Sequence, residues 1–562
     1  MKSLYLIVSI VLFSGFTLKA EDKVYERVYV HTDKDCYVAG EDILLKLYVI
    51  NTDFQPSNLS KVGYVEICDT EKPRIQLKLA LEKGSGAGKI KIPTDLPSGI
   101  YRLSGYTRYM RNEGSTVFFN KSIAIVNAQQ QMSDPKRFEP VEKYDDITSE
   151  GNKEQPVVNE QDLLVKTDQN EYGNRRKALL SLDNIPDNTA DLVISVSRND
   201  SIAGVPEMNR QEWLKQVTQL FPFSGQWLPE YEGHIITGQV VPEPKERLLS
   251  NLSFTGNDIR YFRGQDNPQK GTVNFYTAGI YGKQQIVTSV VSSVYEKVPY
   301  RIDLLSPFCE SLPDSLPVLQ IYPNEKQLLE RYIGVQIKEK TENDSINNSI
   351  QPSGYCTLQP VKTYDLDQYT RFGSVSETIL EFITRLRVTR AGGKRTISAF
   401  LDEENRFSLR TLVLLDGIPV YNHEDILQYN PMYIKTIAIY EGRYTFNGED
   451  FEGIVSFITR EGDLPFFQLS AGSQLFNYDC PQLPSSFENP DYSSDELRNS
   501  RKPDFRHTLY WNPFVEFTKG QPVRLSFYTS DLCGEFKVNV EGITTDGKMI
   551  HGTFLFRVGA GQ

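Results

Sequence analysis

The sequence has little of what builds a catalytic or metal centre. No two of its six cysteines form a C-x-x-C pair, and no H-E-x-x-H, G-x-S-x-G or phosphate-cradling glycine loop is present. Its five histidines show no metal-ligand spacing: they are His31, His234, His423, His507 and His551. A pair of carboxylates brought together by the fold would escape such a search, because that pairing is spatial. We therefore expect no catalytic residue, no metal site, no cofactor and no enzymatic activity.

The cysteines are too few and too scattered to form a disulfide framework in a chain of 562 residues. A bridge between Cys36 and Cys68 is conceivable, but buried free thiols are the favoured state. The sequence alone leaves the pairing of these cysteines open.

The chain lacks a surplus of positive charge. It carries 73 acidic and 61 basic residues, a net charge of -12, with an isoelectric point near 5.2. Binding to nucleic-acid phosphates needs clustered Lys and Arg, and we find no such cluster in the sequence. We therefore expect no nucleic-acid partner.

Long hydrophobic runs are also absent, except at the N-terminus. Residues 1–20 begin with Lys2, continue through an apolar run over 4–16 and end in Leu18-Lys19-Ala20. This run is short for a membrane span and has the form of a secretory signal peptide, although an uncleaved anchor is the alternative. The first cysteine, Cys36, lies too far on for a lipoprotein anchor. We predict an exported chain, periplasmic or associated with the outer membrane, with no transmembrane segment after cleavage.

The sequence is rich in aromatic residues and turn residues, with 31 Tyr, 30 Phe, 30 Pro and 38 Gly. Alternating apolar residues and frequent turn signals predict a mainly β protein, and its length requires several domains. We expect tandem β-sandwiches and one small α+β unit. The predicted segments are a β-sandwich over 21–128, a polar linker over 129–160, a second sandwich with a helix over 161–232, a small sandwich over 233–337, a linker over 338–359, the α+β unit over 360–465, an irregular linker over 466–508 and a C-terminal β segment over 509–562 that completes or packs on an earlier sandwich.

The α+β unit carries the clearest local signals. Asp416-Gly417 lies between two apolar runs and predicts a tight hairpin turn. A short helix is expected after Asn422, followed by strands around Ile437 and over 454–459. Upstream, Ser374-Val375-Ser376-Glu377 has the form of a capping box, which predicts a helix over 375–387.

The runs VLLDGIPV, PMYIKTIAIYEG and FEGIVSFIT, in that order, resemble the plug domain of TonB-dependent outer-membrane receptors. In the family the plug sits inside a barrel of about twenty-two strands, which residues 462–562 are too few to build. The resemblance implies structural roles in turns and loops for the matching residues, which are Asp416, Gly417, Pro419, Glu441, Gly442, Gly448 and Gly453.

The runs ERVYVHTDKDCYVAGEDILLKLYV and LPSGIYRLSGYTRYM resemble the MG2 domain of alpha-2-macroglobulins, which implies a macroglobulin-like or Ig-like β-sandwich. The second sandwich matches this family more weakly. Residues 233–337 resemble the small sandwich that precedes plug domains in receptors of the Bacteroidetes type. Cys533-Gly534-Glu535-Phe536 is similar to the thioester motif of macroglobulins, but Phe536 replaces the required glutamine, so no thioester can form.

Three functions fit these resemblances. The first is an exported, non-enzymatic protein that binds or scaffolds partners beside an outer-membrane transport complex, with sandwich edges available for a peptide or protein ligand. The second is a plug acting in trans on a separately encoded barrel, which requires the plug to be mobile. The third is a protease trap without a thioester, whose exposed bait would lie in 129–160 or 462–508.

Overall fold

We describe the fold from a computed structural model. The described residues are 24–127, 138–140, 163–199, 202–205, 210–244, 248–267, 271–292, 299–322, 325–341, 359–391, 393–446, 449–484, 487, 489–546 and 548–559. The predicted signal peptide, most of the linker over 129–160 and Gly448 lie outside them.

The N-terminal strands form the first sandwich. Its sheets have the orders β1-β3-β6 and β2-β8-β7-β4-β5. Every residue of β1 is buried, which shows that both faces of this strand are covered and not only the face towards its own core. The strands are β1 Glu26–Thr32, β2 Cys36–Val38, β3 Asp42–Asn51, β4 Val62–Cys68, β5 Pro73–Ala80, β6 Ser85–Lys91, β7 Gly99–Thr107 and β8 Phe119–Val126.

The second sandwich is built from two distant parts of the chain. Its sheets have the orders β10-β12-β33 and β11-β35-β34-β13-β32. The C-terminal strands pair with β12 and β13, so the expectation that they complete an earlier sandwich is confirmed. The strands are β10 Leu164–Thr167, β11 Glu171–Tyr172, β12 Lys177–Asp183, β13 Thr189–Arg198, β32 Thr508–Asn512, β33 Val523–Tyr528, β34 Gly534–Thr544 and β35 Met549–Val558.

The third sandwich also takes a strand from far along the chain. Its sheets have the orders β18-β19-β15-β21 and β17-β16-β20-β31. The strand β31 and a short helix, α5 Asp495–Arg498, lie in the stretch predicted as an irregular linker, so that prediction is wrong for these residues. The strands are β15 Ile235–Val241, β16 Leu248–Phe254, β17 Arg260–Arg263, β18 Gln265–Asn267, β19 Thr272–Tyr276, β20 Lys283–Ser292, β21 Arg301–Leu304 and β31 Ser473–Asp479.

A small sheet joins three short strands in the order β14-β22-β9, with β9 parallel to β22. The strand β9 falls inside the predicted linker over 129–160, whose polar composition predicts no strand. Strand pairing through backbone hydrogen bonds does not require apolar side chains, so the composition of this segment does not predict the strand β9. The strands are β9 Phe138–Pro140, β14 Ala203–Gly204 and β22 Leu319–Ile321.

Two helices pack on the first sandwich. The predicted helix is α1, Arg210–Val217, whose Trp213 donates from its indole nitrogen to the Val28 carbonyl oxygen at 3.0 Å. The sequence did not predict α2, Glu325–Thr341, which runs into the stretch expected to be a linker from residue 338. In α2, Arg331 donates to the Cys36 carbonyl oxygen at 3.1 Å and pairs with Glu41.

Residues 360–465, named the plug-like unit below after the sequence resemblance alone, form a five-stranded sheet of order β23-β29-β30-β27-β28 and a small sheet of order β24-β25-β26. The expected order of strand, short helix, strand, loop and strand over 411–461 is confirmed. The elements are β23 Lys362–Asp365, α3 Val375–Phe382, β24 Leu386–Ala391, β25 Lys394–Leu401, β26 Arg406–Phe407, β27 Leu412–Leu415, β28 Ile418–Pro419, α4 His423–Leu427, β29 Ile434–Phe446 and β30 Glu449–Thr459.

The helix predicted over 375–387 is five residues too long. It ends at Phe382, because Ile383 leaves the helical conformation and Leu386 begins a strand that pairs with Ala399. A buried strand pairing therefore overrides the helical pattern in the last turn. Among the described residues, no helix combines the length and apolar character needed to cross a bilayer.

Candidate functional site

The hairpin between β27 and β28 is the centre of the plug-like unit. Leu415 pairs with Ile418 across a two-residue turn in which Asp416 has φ 47° and Gly417 has φ 79°. Two successive positive φ angles define the turn type that matches the twist of a β-hairpin, and Asp-Gly is well suited to it. The sequence pattern therefore predicts this turn correctly.

The Asp416 side chain also accepts hydrogen bonds, in addition to the place of this residue in the turn. Its carboxylate is fully buried and accepts hydrogen bonds from the Thr459 amide at 2.7 Å, the Thr459 hydroxyl at 2.7 Å and the Leu464 amide at 2.9 Å. Burial raises the pKa of Asp416 above its usual value, although these hydrogen bonds act in the opposite direction. The carboxylate thus joins the hairpin to the end of β30 and to the chain that follows.

The turn rests on the third sandwich at a surface that we call the seat, formed by Asn251, Phe254, Gly256, Asp258 and Tyr261. The Gly256 amide donates to the carbonyl oxygen of the first turn residue at 3.1 Å, and the Asn251 amide donates to the hydroxyl of the tyrosine after β28 at 2.9 Å. A Cβ at the second turn position would lie 3.0 Å from the carbonyl oxygens of Phe254 and Asp258. The glycine is therefore needed for the close approach as well as for its φ.

Both faces of the five-stranded sheet are covered by the chain itself. On one face, a core that includes Val375, Ile379 and Ile426 packs the helices α3 and α4 against the strands. On the other face, a second cluster that includes Leu414 and Tyr440 packs against Ile259 and Tyr261 of the third sandwich. The plug-like unit is therefore docked on its neighbour through a hydrophobic contact and not only through the turn.

The remaining motif residues have structural surroundings. Glu441 binds Arg385 at 2.8 Å and accepts from the Asp402 amide at 3.1 Å. Gly442 has φ 125° at a register shift of β29, and Pro419 is buried where β28 pairs with β27. A Cβ on Gly453 would lie 3.3 Å from the Tyr440 carbonyl oxygen and 3.4 Å from the Ala399 Cβ, while Gly448 lies outside the described residues.

The capping box of α3 differs from its expected form at one bond. The Ser374 hydroxyl accepts from the Glu377 amide at 3.2 Å, as predicted. The Glu377 carboxylate accepts from the Gly373 amide at 3.0 Å instead of the amide of the capping serine. The reciprocal bond therefore falls one residue before the position that the motif predicts.

A buried lysine lies between the first and second sandwiches. Lys46 is inaccessible to solvent and pairs with Asp191 at 2.7 Å, with its Nζ also donating to the Pro513 carbonyl oxygen and lying 4.6 Å and 4.5 Å from the ring centroids of Tyr48 and Phe514. Burial lowers the pKa of Lys46 to about 8, against the opposing effect of Asp191. The Lys46 charge is compensated by groups of the second sandwich. The buried lysine is therefore paired only while the two sandwiches stay packed together.

The same interface contains a second polar contact. Glu541 accepts hydrogen bonds from the Tyr29 hydroxyl at 3.0 Å and His31 Nδ1 at 2.7 Å. The His31 ring stacks on Trp511 at 5.6 Å. Val193, Trp511 and other residues of the second sandwich belong to the hydrophobic core of the first, which explains why β1 and β3 are buried on both faces.

A histidine network joins the first and third sandwiches. His234 Nδ1 donates to Glu230 at 2.9 Å, and its Nε2 accepts from the Tyr478 hydroxyl at 2.7 Å. The Tyr64 hydroxyl donates to the same carboxylate at 2.9 Å. Burial lowers the pKa of His234 to about 4, because no room is left for solvent around the charged ring.

A cleft of about 790 Å³ opens where the three sandwiches meet. Its walls include Tyr48 and Asp191 beside the buried lysine, Leu81 and Ile280 on the flanks, and His234. The cleft is large enough for a small ligand, but the polar groups at its base already bind each other across the domain interfaces. These residues therefore hold the domains together, and their contacts are explained without a ligand.

No metal-binding cluster appears in the described part of the chain. No three His, Cys, Asp or Glu side chains gather there in a metal-binding group. The described cysteines are free thiols: Cys36, Cys68, Cys309, Cys480 and Cys533. Phe536, at the position of the thioester glutamine, is fully buried in the core of the second sandwich.

Sequence reasoning missed a basic hairpin. The segment 385–395 carries five cations and no carboxylate, so the statement that the sequence holds no cluster of Lys and Arg is wrong for this segment. The register of β24 and β25 brings four of these cations onto one two-stranded element, and Arg385 directly precedes β24. Counting charges in an eleven-residue window would have found it, whereas the net charge of the whole chain hides it. The cations are Arg385, Arg387, Arg390, Lys394 and Arg395.

No protein-family model matches the chain, and no curated protein matches it. Among solved structures it is similar to Escherichia coli alpha-2-macroglobulin activated by porcine elastase, with 8% identity and a TM-score of 0.25 over 95% of this chain and 44% of that chain. Salmonella alpha-2-macroglobulin reacted with methylamine matches with 9% identity and a TM-score of 0.16 over 95% and 23%. A Paenibacillus cycloisomaltooligosaccharide glucanotransferase matches with 18% identity and a TM-score of 0.14 over 22% and 16%. The chain therefore spans less than half the length of the macroglobulins that it matches.

Proposed function

We propose that this chain is an exported, non-enzymatic protein that binds or scaffolds partner proteins beside an outer-membrane transport complex. The observation that carries the proposal is the docking of the plug-like unit: its sheet is covered by its own helices on one face and by the third sandwich on the other. A unit fixed in this way is suited to present a surface to a partner.

The docking favours this function over insertion of the plug into a separate barrel. Insertion would have to expose the second face of the sheet, where Tyr261 and Phe446 have ring centroids 3.8 Å apart, and break the bond from the Gly256 amide. Exposing a buried apolar face costs about 25 cal/mol for each Å². A scaffold needs no such step.

The outer surface of the plug-like unit, together with Phe466 directly after it, supplies the contact residues. Leu409 and Phe466 are each 87% exposed and Leu380 is 82% exposed, the highest exposed fractions among the large hydrophobic side chains of the described residues. Phe466 lies against the ring of Tyr433 at 5.2 Å, so that an aromatic pair faces solvent. Aromatic residues are enriched at the cores of protein interfaces, and a few anchor residues carry most of the binding energy.

The test is an affinity pull-down of the tagged chain from detergent-solubilised envelopes of its own host. We expect an outer-membrane protein to co-elute with the wild type and to be lost with the triple variant Leu380→Ser, Leu409→Ser and Phe466→Ser. These substitutions are preferable to deleting residues 360–465, because the deletion would uncover the seat and disturb the third sandwich.

The matched control replaces exposed leucines of the second sandwich, Leu164→Ser and Leu555→Ser, and should retain the partner. Loss of the partner in both variants, or no partner for the wild type, would overturn the proposal. A cross-link between Tyr261→Cys and Phe446→Cys, made on a Cys533→Ser background, separates the two mechanisms. The scaffold keeps its partner when linked, whereas a plug that inserts in trans loses it.

A further inference from the structure

The basic hairpin of β24 and β25 has charges that the fold does not neutralise. Arg385 binds Asp402 and Glu441, and Arg395 binds Glu424. No ion pair to a described residue is formed by the other three cations, which are all exposed: Arg387, Arg390 and Lys394. Three free cations on one short element leave a local positive field.

The register of the hairpin concentrates this charge. Arg390 lies directly opposite Arg395, and like charges in directly opposite positions of a strand pair are destabilising. Glu424 is the carboxylate that binds Arg395, and the nearby arginines lower its pKa to about 2. One carboxylate therefore compensates for two opposed guanidinium groups, and an external anion would relieve the remaining repulsion.

Aromatic rings flank Arg387 on the face of the hairpin that also carries Lys394, whereas Arg390 and Arg395 share the opposite face. Arg387 faces outward opposite Ser398, and its guanidinium lies 5.6 Å from the ring centroid of Phe407. Phe407 pairs in register with Phe400, which shares this face because side chains alternate along β25. Cations beside half-exposed aromatic rings suit the boundary between headgroups and acyl chains of a membrane better than they suit a fully hydrated acidic segment.

We propose that the basic hairpin binds the phosphate groups of an anionic lipid surface. The net charge of -12 on the whole chain does not prevent this contact, because charges farther than about 8 Å are screened at physiological ionic strength. The acidic turn over 402–404 follows the far end of β25. That end lies about 23 Å from Lys394, at the rise per residue of an extended strand. Arg390 and Lys394, at the end of the hairpin away from that turn, can therefore approach the headgroups first.

The experiment measures co-sedimentation of the full chain with vesicles of phosphatidylcholine alone or mixed with phosphatidylglycerol. We expect binding only to the mixed vesicles, weakening as salt is raised. Each free cation should contribute about fivefold to the partition coefficient, so the variant Arg387→Gln, Arg390→Gln and Lys394→Gln should lose about a hundredfold. Circular dichroism checks that the variant is folded.

The control variant Lys519→Gln, Arg524→Gln and Lys537→Gln makes the same change in net charge on the second sandwich and should bind like the wild type. Equal binding to both kinds of vesicle, or equal loss in the two variants, would overturn the proposal. Polyglutamate bound as tightly as the mixed vesicles would overturn the lipid assignment in favour of an acidic protein. The apolar substitutions that test the scaffold lie on other residues, so either proposal can fail alone.

Discussion

Asp416 occupies a turn position and also accepts three hydrogen bonds, and substitution can separate these two roles. Asn tolerates the φ of 47° but places an NH₂ group where one carboxylate oxygen now faces donors from Thr459 or Leu464. We expect Asp416→Asn to lower the free energy of unfolding by about 1–3 kcal/mol, since buried donors lose an acceptor. Urea unfolding followed by circular dichroism measures this change.

The exposed neighbour Asp463 provides the control, and Asp463→Asn should change the free energy of unfolding by less than about 0.5 kcal/mol. If Asp416→Asn is as stable as the wild type, turn geometry alone accounts for the contribution of Asp416 to stability.

At the scale of single residues, the sequence predicts the local backbone geometry of a residue better than it predicts which distant residues contact its side chain. The Asp416-Gly417 turn and the Ser374 cap depend on neighbours within four residues, and both are predicted correctly. The burial of Lys46 is not predictable from its own strand, because Asp191 comes from another sandwich 145 residues later. A buried charge depends on contacts that only the assembled fold defines.

The segment after β31 closes the open side of the first sandwich through one glutamine. Gln482 pairs through its backbone with Lys78 and Ala80 of β5, and its side-chain amide bonds both backbone groups of Lys89 in β6, accepting at 2.8 Å and donating at 3.3 Å. Gly88 leaves room for this amide and for Leu79, since a Cβ there would lie 2.5 Å from the glutamine Oε1 and 2.3 Å from Leu79 Cδ2. The third sandwich is thereby fastened to the edge of the first.

We expect Gln482→Ala to cost about 1–2 kcal/mol of unfolding free energy, and Gly88→Ala to cost a comparable amount through overpacking. Because the two side chains would compete for one space, Gly88→Ala should be less costly in the Gln482→Ala background by more than about 0.5 kcal/mol. A double-mutant cycle by urea unfolding measures this coupling, with the exposed Gln521→Ala as control. Strictly additive effects would contradict the arrangement.

At the scale of secondary-structure elements, the sequence-based predictions are wrong where pairing with a distant strand determines the structure. The helix α3 was predicted too long because Leu386 fits a helical face, yet it pairs with Ala399 in a strand. The strands β9 and β31 lie in polar stretches whose composition predicts linkers, and both are fixed by partner strands. The helix α2 has a polar sequence and is held by Arg331 and Glu41 rather than by a clear apolar stripe.

At the scale of the whole molecule, the mainly β architecture follows from alternation and turn residues, and the pairing of the C-terminal strands with an earlier sandwich was expected. The docking between units was not predicted. It depends on scattered residues such as Asn251, Tyr261 and His234, which have no spacing that singles them out. Alternation, turn and capping signals predict the internal order of elements over 411–461, but not the surface that covers them.

Acid should weaken the whole assembly through histidines that are buried in different places. Burial lowers the pKa of His234, between the first and third sandwiches, and of His423, in the plug-like unit, to about 4. The unfolded chain titrates near 6.5, so between these values it binds more protons than the folded chain, and stability must fall as the pH drops from 6.5 towards 4. Each histidine should remove roughly 2 kcal/mol by pH 5.

The measurement compares the free energy of unfolding by urea at pH 7 and pH 5 for the wild type, His234→Gln, His423→Gln and the control His551→Gln. Each buried-histidine variant starts from a lower stability at pH 7, because it loses native hydrogen bonds, but should show a smaller decrease on acidification. His551 lies partly exposed in β35, and its variant should keep the wild-type decrease. Equal decreases in all four proteins would mean that carboxylates alone set the acid sensitivity. A smaller decrease for His234→Gln would locate part of that sensitivity at the joint between the first and third sandwiches.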